Sequence, residues 1–259
     1  MAGGRLYLVP NLLGIVPPEA VLPSNTIEVA RSLRYFVAEN AKVARAFLKT
    51  IATRIVIQEV RIDELNEHSL PGEVESLLAP ARAGNDLGLL SDAGCPAVAD
   101  PGAQLVAAAH RAGIQVVPLV GPCSLLLALM ASGMNGQGFA FHGYLPAKAE
   151  PRIAAIRRLE AEARRAGSTQ LFIETPYRNV AMLEALLAAC SADLLLGVAA
   201  DLTLGSEEVV VAPVAQWRAR DPQRFMNRPA IFLLGAPEPR PAGHQPVGRV
   251  RPLPRRASS

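Results

Sequence analysis

Short apolar runs alternate with longer amphipathic ones along most of this 259-residue chain. Leu6-Tyr7-Leu8-Val9 reads as a first buried strand, followed by a helix near Thr26–Leu33 and a strand at Arg34-Tyr35-Phe36-Val37. From Lys42 to Lys49, Val43, Ala46 and Phe47 fall on one helical face. Ile55-Val56-Ile57 is strand-like, and the polar stretch Asn66-Glu67-His68-Ser69 carries no assignable period. Then come a strand at Leu87 to Leu90, a helix near Ala103–Ala112, a strand over Gln115–Val120 and a strongly apolar helix from Leu125 to Ala131. Ser132 to Gly138, rich in glycine, reads as a hinge between two halves. Beyond it the pattern resumes: strands at Phe139–Tyr144, Gln170–Ile173, Leu194–Val198, Glu207–Val211 and Ala230–Leu234, with helices over Pro151–Arg165 and Val180–Ala189. Such alternation argues for an α/β fold with a mainly parallel sheet in the first half and a second sheet after it.

Composition narrows the class. Half the residues are hydrophobic, yet no apolar run approaches the roughly 18 residues of a membrane span. No apolar signal segment precedes Leu6, so the expected compartment is the cytoplasm. Cys95, Cys123 and Cys190 are too scattered for a disulfide framework or a zinc site, and His68, His110, His142 and His244 are equally dispersed, so no metal is expected. The net charge of +3 is uneven: residues 237–259 hold five arginines, six prolines and one glutamate, leaving a body of net charge −1. That arm is expected to be disordered, either a solvated terminus or a segment that touches phosphate.

Familiar phosphate and nucleophile motifs are missing. Pro10-Asn11-Leu12-Leu13-Gly14 after the first strand lacks the Gly-x-Gly-x-x-Gly of a dinucleotide fold. There is no Walker-type loop and no Gly-x-Ser-x-Gly elbow, which argues against hydride transfer, nucleotide hydrolysis and acyl transfer. The chemistry instead concentrates at residues 88–102, where two aspartates, three glycines and two prolines share fifteen positions. Asp92 stands at the carboxyl end of a buried strand, where open α/β sheets hold ligands. Small neighbours, Ala93 and Gly94, let a ligand approach the backbone. Asp100 is placed to cap the next helix, with Pro101 at its first position.

These blocks together resemble a known family. Leu6-Tyr-Leu-Val-Pro10, Ser91-Asp-Ala-Gly-Cys-Pro96 with Asp100-Pro-Gly102, Gly121-Pro-Cys-Ser124 and Phe141-His-Gly-Tyr-Leu-Pro146 are similar to motifs of the tetrapyrrole methylase superfamily. The nearest branch holds bacterial small-subunit ribosomal RNA ribose 2′-O-methyltransferases. Glu174-Thr-Pro-Tyr-Arg-Asn179 and Asp201-Leu-Thr-Leu-Gly-Ser-Glu207 extend the resemblance, which spans roughly residues 5–234.

The resemblance implies two α/β domains; the hinge and the tail composition set them at 1–135 and 136–236, followed by a disordered Pro/Arg-rich tail over 237–259. It implies S-adenosylmethionine bound in the interdomain cleft, and a homodimer. On this chain the cofactor-binding positions it implies are Pro10, Asp92, Ala93, Gly94, Cys123, Ser124, Leu145, Leu202 and Thr203. Methyl transfer needs alignment more than covalent chemistry, so no catalytic residue is assigned; the candidates are Lys148, to bind phosphate or help deprotonate a hydroxyl unless it is simply solvated, His68, as an acid-base group or an exposed loop histidine, and Glu174, to orient substrate or cap the following helix. His142, inside an apolar strand, reads as a satisfied structural histidine. The branch carries Ala-Glu-Asp-Thr-Arg where this chain has Ala38-Glu39-Asn40-Ala41-Lys42, and a Lys and a His where it has Leu204 and Ser206. The expected activity is methyl transfer to ribosomal RNA or the small subunit. A small-molecule, tetrapyrrole-like acceptor and a noncatalytic ligand-binding module stay open as alternatives.

Overall fold

Side chains alternate along the first strands, and the two sets they form cover opposite faces of one sheet. The computed structural model describes residues 3–65 and 70–237. Its first sheet contains β1 (Leu6–Val9), β2 (Tyr35–Ala38), β3 (Arg61–Glu64), β4 (Leu87–Leu90) and β5 (Val116–Pro118), in the order β3-β2-β4-β1-β5. All its pairings are parallel. Tyr7, Val9, Phe36, Ala38 and Leu90 point to the face covered by α1 (Ser24–Ser32) and α2 (Ala41–Thr50). Leu6, Val37, Leu87 and Leu89 point to the other, packed with α3 (Pro71–Ser76), α4 (Ala79–Arg82) and α5 (Ala103–Arg111). Burial on both faces is why these strands read as unbroken apolar runs.

One predicted strand is misplaced. Ile55-Val56-Ile57 is not a strand; Ile57–Glu59 forms a single 3-10 turn, and the chain enters the sheet only at Arg61. Ile55 and Ile57 do pack against the core, which produced the apolar signal. The true strand, Arg-Ile-Asp-Glu, lies at the sheet edge with both end residues exposed, so its charges cost nothing there. Asn40, within the segment that departs from the family pattern, caps α2: its Oδ1 accepts from Lys42 N at 2.9 Å and Val43 N at 3.3 Å.

The second sheet contains β6 (Phe139–Tyr144), β7 (Thr169–Ile173), β8 (Leu195–Ala200), β9 (Glu208–Pro213) and β10 (Ala230–Gly235), ordered β6-β7-β10-β8-β9. It is mixed: β6 and β7 run parallel, while β10 is antiparallel to both β7 and β8. One face carries Phe172, Val198 and Phe232 beneath α7 (Ala149–Ala166), α8 (Asn179–Ala189) and α9 (Val214–Trp217). Phe172 and Phe232 stack with centroids 5.4 Å apart. The opposite face, with Leu171, Ile231 and Leu233, receives Ala128 and Leu129 of α6 (Ser124–Ser132). A helix that follows a strand of the first sheet therefore packs on the second, tying the two together. Among the described residues no helix is long and apolar enough to cross a membrane.

Candidate functional site

The order β3-β2-β4-β1-β5 makes the chain leave β1 and β4 toward opposite sides, so their carboxyl ends frame a topological switch point. Asn11, buried just past β1, stitches this point shut. Its Nδ2 donates to the carbonyls of Ser91 at 3.1 Å and Asp92 at 3.0 Å, and its backbone N–H donates to Gly94 O at 2.8 Å. The 91–102 loop is thereby held against the end of β1. Its backbone is unusual: Ala97 and Ala99 have φ of 65° and 64°, Gly94 66° and Gly102 132°. A Cβ on Gly94 would also stand 3.2 Å from Leu13, so only glycine is comfortable there.

The expected helix cap is a correction. Gly102, not Asp100, occupies the position before α5, and no described side chain caps its first turn. The left-handed turns at Ala97 and Ala99 swing Asp100 away from the helix end and into a cavity.

That cavity, about 300 Å³, lies between the two sheets. The first half contributes Leu13, Asp92 to Cys95, Val98 to Asp100, and Cys123 to Leu125. The second half contributes the carboxyl ends of β6, β7 and β8 through Tyr144, Glu174 and Asp201-Leu202, and the start of β10 through Ala230 and Ile231. Its size sits at the lower end for a small-molecule site.

The electrostatics of the two walls differ. Burial raises the Asp92 carboxyl above its ordinary range. Asp100 is also raised, by burial first, with the charge of Asp92 adding and Ser91 opposing. Neither aspartate has an ion-pair partner among the described residues. On the second wall, Asp201 Oδ2 pairs with Arg228 Nε at 2.8 Å and accepts from Ser206 at 2.9 Å, while Glu208 pairs with the same guanidinium at 2.9 Å. Glu174, its side chain wholly buried, takes Arg178 Nε at 2.9 Å and Nη2 at 2.5 Å on one oxygen; its other oxygen has no partner among the described residues. The Tyr144 hydroxyl is pushed up by partial desolvation on the cavity side of an otherwise exposed ring, with Asp100 and Glu174 adding and Arg178 opposing. Cys123 and Cys95 both line the cavity. The neighbouring Cys95 thiol and then backbone N–H groups of Leu126 and Leu125 pull Cys123 down to about 6, against its burial. The same contact, with burial, pushes Cys95 up.

A family model described as Tetrapyrrole (Corrin/Porphyrin) Methylases matches residues 25–217. The chain belongs to that family. As a member of the tetrapyrrole methylase family it is a methyltransferase. It is 33% identical over 235 residues to a protein of Escherichia coli O157:H7 named Ribosomal RNA small subunit methyltransferase I, covering 90% of this chain and 78% of that one. A protein of the same name from Micromonospora olivasterospora is 34% identical over 237 residues, covering 91% and 72%. The crystal structure of the methyltransferase CobJ shares the fold with a TM-score of 0.62 at 19% identity, over 93% of this chain and 97% of that one. Uroporphyrin-III-C-methyltransferase from Thermus thermophilus does so with a TM-score of 0.52 at 19% identity, over 91% and 93%. At such identity these two likenesses speak to fold alone.

In this tetrapyrrole methylase the sequence-predicted positions divide. Asp92, Ala93, Gly94, Cys123, Ser124, Leu202 and Glu174 line the cavity. Pro10, Leu145 and Thr203 do not. Pro10 lies behind the wall, so close to Gly121 that a Cβ there would fall 2.3 Å from the proline ring. Leu145 is buried in the second core. Thr203, at φ 73°, follows Leu202 with a buried hydroxyl that lacks a partner among the described residues. Lys148 is exposed at the start of α7, and His68 falls outside the described residues. His142 places Nε2 2.7 Å from Gln170 Oε1, which accounts for it structurally. Sequence reading missed Asn11, Leu13, Tyr144 and Asp201. Asn11 left a signal as a polar residue two positions past a buried strand, and Tyr144 and Asp201 lie within the quoted motif blocks, where the sequence reading gives them no role.

Proposed function

We propose that this methyltransferase moves the methyl group of S-adenosylmethionine to a ribose 2′-hydroxyl of small-subunit ribosomal RNA. The acceptor is supported by the identity, over nine-tenths of the chain, to relatives bearing the rRNA methyltransferase name. The observation that carries the cofactor is the cleft wall with two carboxylates, Asp92 and Asp100, that no cation of the described protein neutralises.

The residues fit the cofactor. A sulfonium ligand is cationic, and a wall of raised, unpaired carboxylates favours a cation that restores their charge. The backbone at Ala93 and Gly94 offers close approach, and the buried Glu174 oxygen and Thr203 hydroxyl still lack partners. Asp92, Ala93, Gly94, Cys123, Ser124 and Leu202 would hold it, with Pro10, Leu145 and Thr203 shaping the wall behind them. Bound S-adenosylmethionine supplies a methyl group already activated by the positive sulfur. The protein's task is then to align the acceptor hydroxyl and keep water out.

Of the catalytic candidates, Glu174 is engaged in holding Arg178, and Lys148, exposed just past β6, is the described residue we assign to the hydroxyl proton. A polycarboxylate tetrapyrrole would meet like charge at Asp92 and Asp100, which disfavours that acceptor. A homodimer belongs to the same reading, supported by apolar surface at Leu126 and Met130, one turn apart on α6 and 49% and 78% exposed. A ribosomal substrate puts the reaction in the cytoplasm.

Two measurements test this. Calorimetric titration is expected to give one S-adenosylmethionine per chain. Labelled methyl transfer to small ribosomal subunits from cells lacking the gene is expected to leave an alkali-resistant dinucleotide. Binding with no transfer to any RNA would remove the acceptor, and no binding by folded protein would remove the cofactor.

A further inference from the structure

We propose that Tyr177, backed by Arg178, is a stacking platform for a nucleobase of the acceptor RNA at the mouth of the cleft, an inference that rests on the RNA reading above. Tyr177 is 70% exposed and Tyr144, on the adjacent strand end, 57%. Tyr144 lines the cavity itself, and Pro176, the residue before Tyr177, lines it too. Register pairs Tyr144 with Ile173, so the two aromatic residues leave neighbouring strands at the same edge.

Single exposed aromatics are common and need no function. Tyr177 differs because its surroundings are fixed. The Arg178 guanidinium carbon stands 5.7 Å from its ring centroid, within cation–π range. Arg178 is in turn immobilised by Glu174, whose side chain is wholly buried, and by Thr175 Oγ1 at 3.0 Å. The segment is pinned again by Asn227 N donating to Pro176 O at 3.1 Å. A flat ring held with one side toward a fixed cation and most of its surface in water is pre-organised for a second flat partner.

Charge selects the partner. Asp92 and Asp100 inside the cleft repel phosphate, while Arg178 is bonded to Glu174 of the cleft wall and Lys148, four residues past Tyr144, is exposed. A nucleotide can satisfy both by turning its base and ribose inward and leaving its phosphates outside. Stacking on Tyr177 would hold the base in that orientation without reading its identity.

The test is fluorescence titration of the full chain, with S-adenosylhomocysteine present, against a single-stranded RNA of about a dozen nucleotides carrying one 2-aminopurine. Tyr177→Ala is expected to weaken binding about tenfold, the scale of one lost base stack, and to abolish 2-aminopurine quenching. Tyr177→Phe and Tyr177→Trp are expected to retain both. Calorimetric affinity for S-adenosylmethionine is expected to be unchanged in all three variants, which reports on folding. Wild-type affinity and quenching in Tyr177→Ala would overturn the platform, as would a Tyr177→Phe variant as weak as Tyr177→Ala, since the hydroxyl would then be the contact. Wild-type protein that binds cofactor and no RNA would instead remove the acceptor reading, and the platform with it.

Discussion

The two walls of the cleft handle charge in opposite ways. On the first, Asp92 and Asp100 sit on a loop with repeated left-handed turns, held by Asn11 and left without a cation among the described residues. On the second, Asp201 and Glu174 are each bound to an arginine that also anchors its surroundings. A carboxylate already matched with a guanidinium mainly fixes shape, with the second Glu174 oxygen left open to a ligand. One that folding leaves partly dehydrated and unmatched is available to a cationic ligand. The comparison divides labour between a rigid wall and a receptive one.

The largest expected effect comes from breaking the rigid wall. Arg228→Met removes the cation shared by Asp201 and Glu208, and the donor to Ser206 O. The guanidinium is partly solvated and both acids keep another contact, so we expect a loss of about 2 kcal/mol in urea unfolding, below the cost of a fully buried pair. Cofactor affinity should fall with it, because the 201–203 turn loosens. Unchanged unfolding would mean that the network is ornamental.

Altering the receptive wall should do the reverse. Asp100→Asn is expected to leave the ligand-free protein as stable or slightly more so, while S-adenosylmethionine affinity drops about tenfold, the scale of one charge contact. S-adenosylhomocysteine, which lacks the sulfonium, should lose less. The pH dependence follows from the raised carboxyls. A folded-state pKa above the unfolded one contributes stability that is full below the ordinary carboxylate range and lost as pH rises through the raised value. Cation affinity runs the other way and weakens as pH falls through that range. Parallel melting and calorimetry across pH 4 to 7 would check both signs, roughly spanning the carboxylate titration. Equal losses for both ligands in Asp100→Asn would contradict the assignment.

The smallest effect sharpens the boundary between the walls. Cys123, pulled down to about 6, should react with iodoacetamide before Cys95, and before Cys190, which burial pushes up to about 12. Ligand in the cleft should slow Cys123 alkylation several-fold by peptide mass mapping. No protection would place the ligand elsewhere.

Much of this architecture is legible in the sequence, because strands buried on both faces announce themselves as apolar runs. Leu87 to Leu90 and Leu6 to Val9 do so, and the loop after Leu90 carries its small residues openly. β3 stays hidden because an edge strand may be charged, and the apolar Ile55 and Ile57 beside it supply a false signal. Asp100 reads as a helix cap because its spacing to α5 is right; two left-handed alanines, which no propensity announces, redirect it. The second wall is the least legible. Tyr144, Asp201 and Ile231 come from strands far apart in sequence and meet only through β10, so no local pattern joins them.

That last strand has a consequence for how the protein comes into being. β6–β7 and β8–β9 are separate pairs until β10 inserts between β7 and β8 with antiparallel register on both sides. All five strands of the first sheet precede residue 119, so that sheet can assemble while the rest is still being synthesised. The second sheet cannot close until Ala230 to Gly235 has emerged, and Ala230 and Ile231 are themselves part of the cleft. Until then α6 presents Ala128 and Leu129 to a surface that still lacks Ile231 and Leu233. A nascent chain therefore holds the aspartate loop early but gains a closed pocket only at the end, so ligand can assist the final step of folding and not the first.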